Sequence, residues 1–488
     1  MTTIPAWIIL ICCIILGEIN LLLAIKFYKI VPTILEMYEI SIQSNIDTRY
    51  ARTTVVKRLK NKSATEQNVT YSAVFPEEAY ASSFILEVGG KNYTAFVTGR
   101  TEDQSNQRQD RFAQLSKRNG SQGFTGQFIV QYDVERNTIS GQILTNNGYC
   151  VHFFAPNNLP SISKYVVFIL DTSLSMKYQR LDLLKNAMNH ILGRLHDKDL
   201  FNIVEFNTVV KAWHLDKTVT YYRPKTNSFQ PLNKNFDFPR AYEVNVDNIN
   251  KAKSIISDFK ASGVTNIYSA LRVGLHMVEL AQDQLNNSRP VIVFLTDGEP
   301  TITNFNVGAR KASIYTLAFG SEPDYNFLEM LARRNGGFAK KIYDASDASQ
   351  QLQKFYKLIS SPILTNLILQ YDTLTEKTRT IFPTVFNGTE IVVAGQCGQG
   401  ANRMMNFANP EVQQTETDIK RLHAYISISQ NLENFMMERT KNKQLEYLRK
   451  AHDLAIANSF STYVTSLVVY MPNNQMIVVS NRKRGILY

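Results

Sequence analysis

The chain has 488 residues, 44% of them hydrophobic and 19% charged, with a net charge of +11. That apolar share excludes a chain disordered by composition, and four cysteines in this length exclude a disulfide-stapled miniprotein. At roughly 150 residues per domain the length asks for two to four domains, and the basic balance fits a polyanionic partner or a secreted protein without one.

Residues 7–17 (WIILICCIILG) form an apolar core of signal-peptide length. Two readings stay open. One is a leader over residues 1–17, cleaved after Gly17; the other is a signal anchor over residues 7–25. The leader has no Lys or Arg ahead of its core, and the anchor would set Glu18 and Asn20 in mid-bilayer. Both put the body of the chain outside the cytosol. Cys12 and Cys13 lie in this run, so only Cys150 and Cys397 remain beyond it, as one disulfide or as two buried thiols. Candidate N-glycosylation sequons stand at Asn61, Asn68, Asn92, Asn119, Asn286 and Asn387, a number that chance alone supplies in an asparagine-rich chain.

Residues 37–62 alternate apolar and polar side chains and predict two antiparallel strands. Residues 69–99 continue in that style, with a hairpin at Gly89-Gly90. The polar stretch 101–123 predicts a loop or a short solvated helix. FIVQYDVE (128–135) and YCVHFFAP (149–156) predict strands, so the N-terminal third is all-β.

After Pro160 the pattern changes. YVVFIL (165–170) and VIVFLTDG (291–298) are continuous apolar runs, as in strands buried on both faces of a parallel sheet. Between them Leu181, Leu184, Met188, Ile191, Leu192 and Leu195 recur at helical spacing. LFNIVEF (200–206), VVKAW (209–213), ASIYTLAFG (312–320) and FAKKIY (338–343) predict further strands. Residues 246–259, 267–281, 324–334 and 347–360 predict helices. This alternation predicts a doubly wound, Rossmann-like α/β sheet. From Pro362 β character returns, followed by helices over 418–439 and 444–458 and a last strand over 462–471.

In such a sheet ligands bind beyond the carboxyl ends of the strands. Asp171, Ser173 and Ser175 follow YVVFIL directly, Asp297 follows VIVFLT, and Thr265 sits in a Gly263-Val-Thr-Asn loop ahead of a helix. Two carboxylates and three hydroxyls form an all-oxygen set suited to a hard cation, Mg²⁺ or Mn²⁺. Asp-X-Ser-X-Ser alone is a weak signal, because Asp and Ser also cap helices. Its place after a buried strand, with Thr265 and FLTDG in order, favours the metal reading.

At these residues the chain resembles the von Willebrand factor type A family and, more narrowly, the inter-alpha-trypsin inhibitor heavy chains. NNGYCVHFFAPNNLP (146–160), VVFILDTSLSM (166–176), GVTNIYSAL (263–271) and FLTDGEPT (294–301) carry the resemblance. SIQSNIDTRYARTTVVKRLKNKS (41–63), FIVQYDVER (128–136), FNGTEIVVAG (386–395) and FSTYVTSLVV (460–469) extend it over about residues 37–470. It implies a VIT-like β domain over residues 31–136, shortened in its second half, and an A domain over 164–360. It further implies a segment over 361–488 that completes a β-sandwich with the VIT-like part. It implies secretion, a metal-ion-dependent adhesion site at Asp171, Ser173, Ser175, Thr265 and Asp297, and partners among matrix proteins, acidic glycans such as hyaluronan, or a separate protease-inhibitor chain.

The chain departs from the family pattern at Leu174, where the adhesion motif has Gly, and at residues 217–242, which read as an insertion. The family's Asp-Pro-His segment, which links it to polysaccharide, is not among these residues, so covalent attachment to hyaluronan is not expected of them. Lys57, Arg58, Lys60 and Lys62 make a basic run, read as a solvated strand face or a glycan contact. No nucleophile elbow, P-loop or His-Glu-X-X-His occurs, so a non-enzymatic binding protein is expected. Two other readings remain: a membrane-tethered auxiliary subunit like those of calcium channels, and a scaffold with a silent metal site.

Overall fold

The computed structural model describes residues 6–15, 20–21, 35–47, 50–61, 79–88, 91–99, 130–131, 141–156, 159–222, 237–285, 288–297, 312–319, 325–342, 348–397, 411–416, 418–470 and 476–480. Its contacts divide the chain into two units. One holds Met1–Pro156, Leu369–Thr380 and Thr389–Arg484; the other holds Asn157–Ile368, Ile381–Gly388 and Gly485–Tyr488.

The first unit begins with β1 (Ala6–Ile15), β2 (Asn20–Leu21), β3 (Leu35–Asp47), β4 (Tyr50–Asn61), β5 (Ala79–Val88) and β6 (Lys91–Thr94). It continues with β7 (Phe96–Gly99), β8 (Val130–Gln131), β9 (Gln142–Asn146) and β10 (Tyr149–Phe154). β3 and β4 form the antiparallel pair that the alternation of residues 37–62 predicts. They lie in a five-stranded sheet of order β3-β4-β1-β5-β6. β1 consists of residues also read as a leader or an anchor. Five of its ten residues are β-branched isoleucine, and it pairs antiparallel with both β4 and β5. A ten-residue apolar run does not by periodicity alone distinguish a buried strand from other apolar segments. Of the 128–135 strand only β8 is described, paired with β2; residues 62–78 and 100–129 lie outside the described residues.

The basic run differs from its sequence reading. Lys57 is 3% exposed, and burial pushes its ammonium down to about 8. Arg58 forms an ion pair with Glu39 of the neighbouring strand. The alternation of β4 turns Lys57 inward with Thr53 and Val55, so Lys57 is not part of a solvated face; the side chain of Lys60 and residue Lys62 lie outside what is described.

The second unit contains β11 (Lys164–Asp171), α1 (Gln179–Leu192), β12 (Leu200–Phe206), β13 (Val210–Trp213), β14 (Val219–Tyr222) and β15 (Tyr242–Glu243). Then come α2 (Val246–Ser257), α3 (Ile267–Leu280), β16 (Arg289–Thr296), β17 (Ser313–Phe319), α4 (Tyr325–Arg334), β18 (Ala339–Ile342) and α5 (Ala348–Ile359). The main sheet runs β14-β13-β12-β11-β16-β17-β18, with β15 beside β12. The pairs β11–β12, β11–β16, β16–β17 and β17–β18 are parallel, whereas β13 and β14 return antiparallel. Alternate side chains of the central strands feed opposite cores. Val166, Phe168 and Leu170 pack with residues of α1, α2 and α5. Tyr165, Val167 and Ile169 pack with residues of α3 and α4. This is the doubly wound sheet that the continuous apolar runs predict. The chain leaves β11 toward β12 and later returns to its other side at β16, which makes the carboxyl end of β11 the topological switch point.

The chain continues as β19 (Pro362–Ile368), β20 (Leu374–Thr375) and β21 (Ile381–Phe386). β19 and β21 form an antiparallel pair within the second unit, which extends past residue 360 to Ile368 and takes in Ile381–Gly388. β20 belongs to the first unit, as do β22 (Ile391–Cys397), β23 (Glu411–Gln414), α6 (Ile419–Met437), α7 (Lys441–Ala457), β24 (Thr465–Tyr470) and β25 (Met476–Ser480). These late strands interleave with early ones, in sheets of order β20-β22-β10-β9-β23 and β25-β24-β7. Ala81 and Phe84 of β5 pack against Leu467 and Val469 of β24, joining two sheets face to face as a β-sandwich. Cys150 and Cys397, on the paired strands β10 and β22, form a disulfide with Cα atoms 5.8 Å apart. No helix among the described residues is long and apolar enough to cross a membrane.

Candidate metal site

Asp171 is the last residue of β11, and Asp297 follows the last residue of the adjacent β16. The parallel register therefore brings both carboxylates to one rim. Asp171 is fully buried. Its Oδ1 accepts the Ser173 backbone N–H at 2.7 Å, and its Oδ2 accepts the Thr296 hydroxyl. Burial pushes the Asp171 carboxyl up to about 6. The hydrogen bonds from Thr296 and Ser173 oppose that rise, and the neighbouring Asp297 charge adds to it.

Ser173 precedes a short 3₁₀ turn, Leu174–Met176, and Ser175 is its middle residue. Their hydroxyl oxygens lie 3.0 Å apart, and Ser175 Oγ donates to Asp297 Oδ1 at 2.7 Å. Neither the turn nor α1 has a side-chain capping bond at its start. The capping alternative for this motif is therefore not what the serines do. Met176 is fully buried and pins the turn, while the Leu174 side chain is 58% exposed. Leu174 is absent from the residues with positive φ, so a side chain in place of Gly meets no left-handed backbone there.

The loop bearing Thr265 is tied to this turn through its backbone. Leu174 N donates to Gly263 O at 3.0 Å, and Ser262 N donates to Thr172 O at 2.8 Å. Val264 N donates to the Thr208 hydroxyl at 3.0 Å, and Asn266 N to Asn207 O at 3.1 Å. Thr265 is half-buried two residues past Gly263. Gly263 has φ of +75°, and a Cβ there would stand 2.4 Å from Thr208 Oγ1. Gly263→Ala is expected to push this loop off the rim and to weaken divalent-ion binding roughly tenfold, about 1.4 kcal/mol. Isothermal titration with Mg²⁺ beside a thermal melt checks it; an unchanged affinity in a folded variant refutes it.

A second layer, which the sequence reading missed, holds the motif. Thr172 donates from Oγ1 to Glu205 Oε1 at 3.0 Å and from its N to Phe206 O at 2.8 Å. Glu205, 2% exposed, also accepts from Lys211 Nζ and Trp213 Nε1, each at 2.9 Å. An acidic residue inside the mostly apolar strand LFNIVEF was the available signal, since buried carboxylates need partners. Arg180 was missed too. Its Nη1 lies 2.7 Å from Asp297 Oδ2, and the Asp297 side chain is fully buried.

Asp171, Ser173, Ser175 and Asp297 are thus gathered on one rim, with the Thr265 loop hydrogen-bonded to it. The donor set is all oxygen and includes a buried carboxylate, Asp171, whose charge two hydrogen bonds offset only in part. Both features fit a hard divalent cation. Of the sequons, Asn92 and Asn387 are exposed, the side chain of Asn61 is not described, and Asn68, Asn119 and Asn286 lie outside the described residues.

Residues 166–358 match the family model of the von Willebrand factor type A domain, and residues 37–127 match that of the Vault protein inter-alpha-trypsin domain. The chain is 31% identical over 390 residues to the inter-alpha-trypsin inhibitor heavy chain H4 of Bos taurus, covering 72% of this chain and 40% of the relative. It is 32% identical over 392 residues to heavy chain H3 of Rattus norvegicus, covering 72% and 41%. It therefore spans about 40% of the length of these relatives. Among solved structures, a von Willebrand factor type A protein from Catenulispora acidiphila is similar at 12% identity, with a TM-score of 0.38, over 67% of this chain and 88% of that one.

Proposed function

Because the chain belongs to the inter-alpha-trypsin inhibitor heavy chain family, we propose that it is a secreted, non-enzymatic binding protein that captures acidic partners through a divalent-metal adhesion site. The observation that carries this is the hydrogen-bonded array of Asp171, Ser173, Ser175 and Asp297 at the switch point of the sheet. Ser173, Ser175 and Thr265 would hold a Mg²⁺ or Mn²⁺ ion through their hydroxyls, with Asp171 and Asp297 acting directly or through water. A bound Mg²⁺ would supply an open coordination position for a carboxylate or sulfate of the partner.

The rim around the site carries exposed apolar side chains, Leu174, Tyr178 and Val264. They suit a protein partner, such as a matrix protein or a protease-inhibitor chain, whose acidic residue stands beside an apolar one. Secretion is proposed with leader cleavage after Gly17, which would take β1 from between β4 and β5 and leave those two edges to meet each other, whereas retention of residues 6–15 would keep β1 in the sheet; N-terminal sequencing of the mature protein reads which start is present. An intact start would favour the tethered alternative.

The test of the metal site is isothermal titration of the purified protein with Mg²⁺ and Mn²⁺, beside a Ser173→Ala, Asp297→Ala double variant. Saturable binding in the wild type and its loss in the variant are expected. A folded wild type that binds neither ion refutes the site.

A further inference from the structure

The position of Arg180 is unusual on three counts. It lies in the first turn of α1, where the helix dipole disfavours a cation. It follows Tyr178, a non-glycine residue at φ +69° and ψ −130°, outside the regions that L side chains favour. And its guanidinium lies 2.7 Å from Oδ2 of Asp297, whose side chain is fully buried while that of Arg180 is 29% exposed. An unfavourable helix position and an unfavourable turn together deliver a positive charge to one carboxylate of the adhesion site.

Asp297 thereby uses both oxygens. Oδ1 accepts the Ser175 hydroxyl and Oδ2 takes Arg180. The first bond joins two residues of the proposed donor set; the second comes from outside it. We propose that Arg180 is a tethered counter-ion of the adhesion site. It neutralises Asp297 while no divalent ion is bound, competes with an arriving ion for that carboxylate, and so sets the ion concentration at which the site fills. This rests on the metal reading proposed above. Neutralising the carboxylate stabilises the ion-free rim, and the same contact opposes the second cation by Coulomb repulsion over a few ångström.

The test compares wild type with Arg180→Gln, Arg180→Lys and Lys177→Gln. Lys177 is the nearby control, because its ammonium stands over the Tyr178 ring, 5.0 Å from the centroid. Mg²⁺ affinity is read by isothermal titration, and the melting temperature is read in EDTA and again with Mg²⁺. Arg180→Gln is expected to bind Mg²⁺ roughly tenfold more tightly, the order a unit charge a few ångström away supplies in a screened site. It is also expected to melt lower in EDTA and to gain more from Mg²⁺ than wild type does. Arg180→Lys, which keeps the charge, is expected between the two, and Lys177→Gln within twofold of wild type. Wild-type binding with an Arg180→Gln affinity within twofold of it overturns the counter-ion role and leaves the metal site standing. Equal gains in Arg180→Gln and Lys177→Gln also overturn it, since a general surface charge would then be the cause. Absence of binding in every variant removes the metal reading itself, and this inference with it.

Discussion

Asp171→Asn is expected to stabilise the ion-free protein at pH 7.5 while reducing its Mg²⁺ affinity at least a hundredfold. The carboxyl titrates at about 6 in the folded chain, against roughly 3.9 in an unfolded one. A carboxyl with a raised folded pKa binds its proton more tightly when folded. Its contribution is therefore fully present below pH ~4 and lost as pH rises through about 6. Two pH units correspond to on the order of 3 kcal/mol, so ionised Asp171 weakens the empty site by about that much at pH 7.5. An asparagine reproduces the neutral form. Its oxygen can still accept the Ser173 N–H, and its amide can face Thr296, whose hydroxyl turns to accept. The charge that a divalent ion requires is gone, hence the loss of affinity. Melting in EDTA from pH 4 to 8 checks the prediction. Wild type should lose stability across that window relative to the variant, and Mg²⁺ should reverse the order at pH 7.5. Parallel pH curves for the two proteins would show that Asp171 is not held at a raised pKa.

Phe294→Ala is expected to cost about 3–5 kcal/mol, the range for deleting a buried aromatic ring that neighbours cannot replace. Phe294 is fully buried in β16 and faces the α3 and α4 layer. Its ring stacks on Phe206 of β12, with centroids 5.3 Å apart and planes 21° apart. β12 and β16 flank β11, so the two rings meet across the strand that ends in Asp171, and Phe206 also accepts the Thr172 N–H through its carbonyl. The cavity therefore opens under the motif rather than at the periphery. For a unit of this size the melting temperature should fall by about 10 °C, and Mg²⁺ affinity should fall with it as the rim loosens. Phe294→Leu, which fills most of the space, should recover more than half of both losses. A melting temperature within about 2 °C of wild type, at most about 1 kcal/mol, would refute the packing account.

Much of the second unit was written in the chain itself. A strand buried on both faces needs an unbroken apolar run, and YVVFIL and VIVFL have no other way to be satisfied. The helices between them show the 3.6 period over ten residues or more. The end of each run fixes where a loop begins, so Asp171 and Asp297 could be placed on one rim once a parallel sheet was inferred. The β-sandwich was legible through the family resemblance. Its pairings were not, because β10 with β22 and β7 with β24 join residues hundreds of positions apart, and no local period encodes such partners.

What only the tertiary structure decided follows the same physics. Whether an apolar run such as residues 6–15 pairs in a sheet depends on the edges offered to it, and β4 and β5 offer two. Whether Lys57 meets solvent depends on the phase of β4 against its neighbours, which composition does not carry. The support given to Thr172 by Glu205 of β12, and the pairing of Arg180 of α1 with Asp297, arise where a loop after one strand meets a neighbouring strand or helix. Sequence determines the periods and the strand ends; charges brought together across long separations are set by the fold, since electrostatic partners act through space and leave no repeat in the chain.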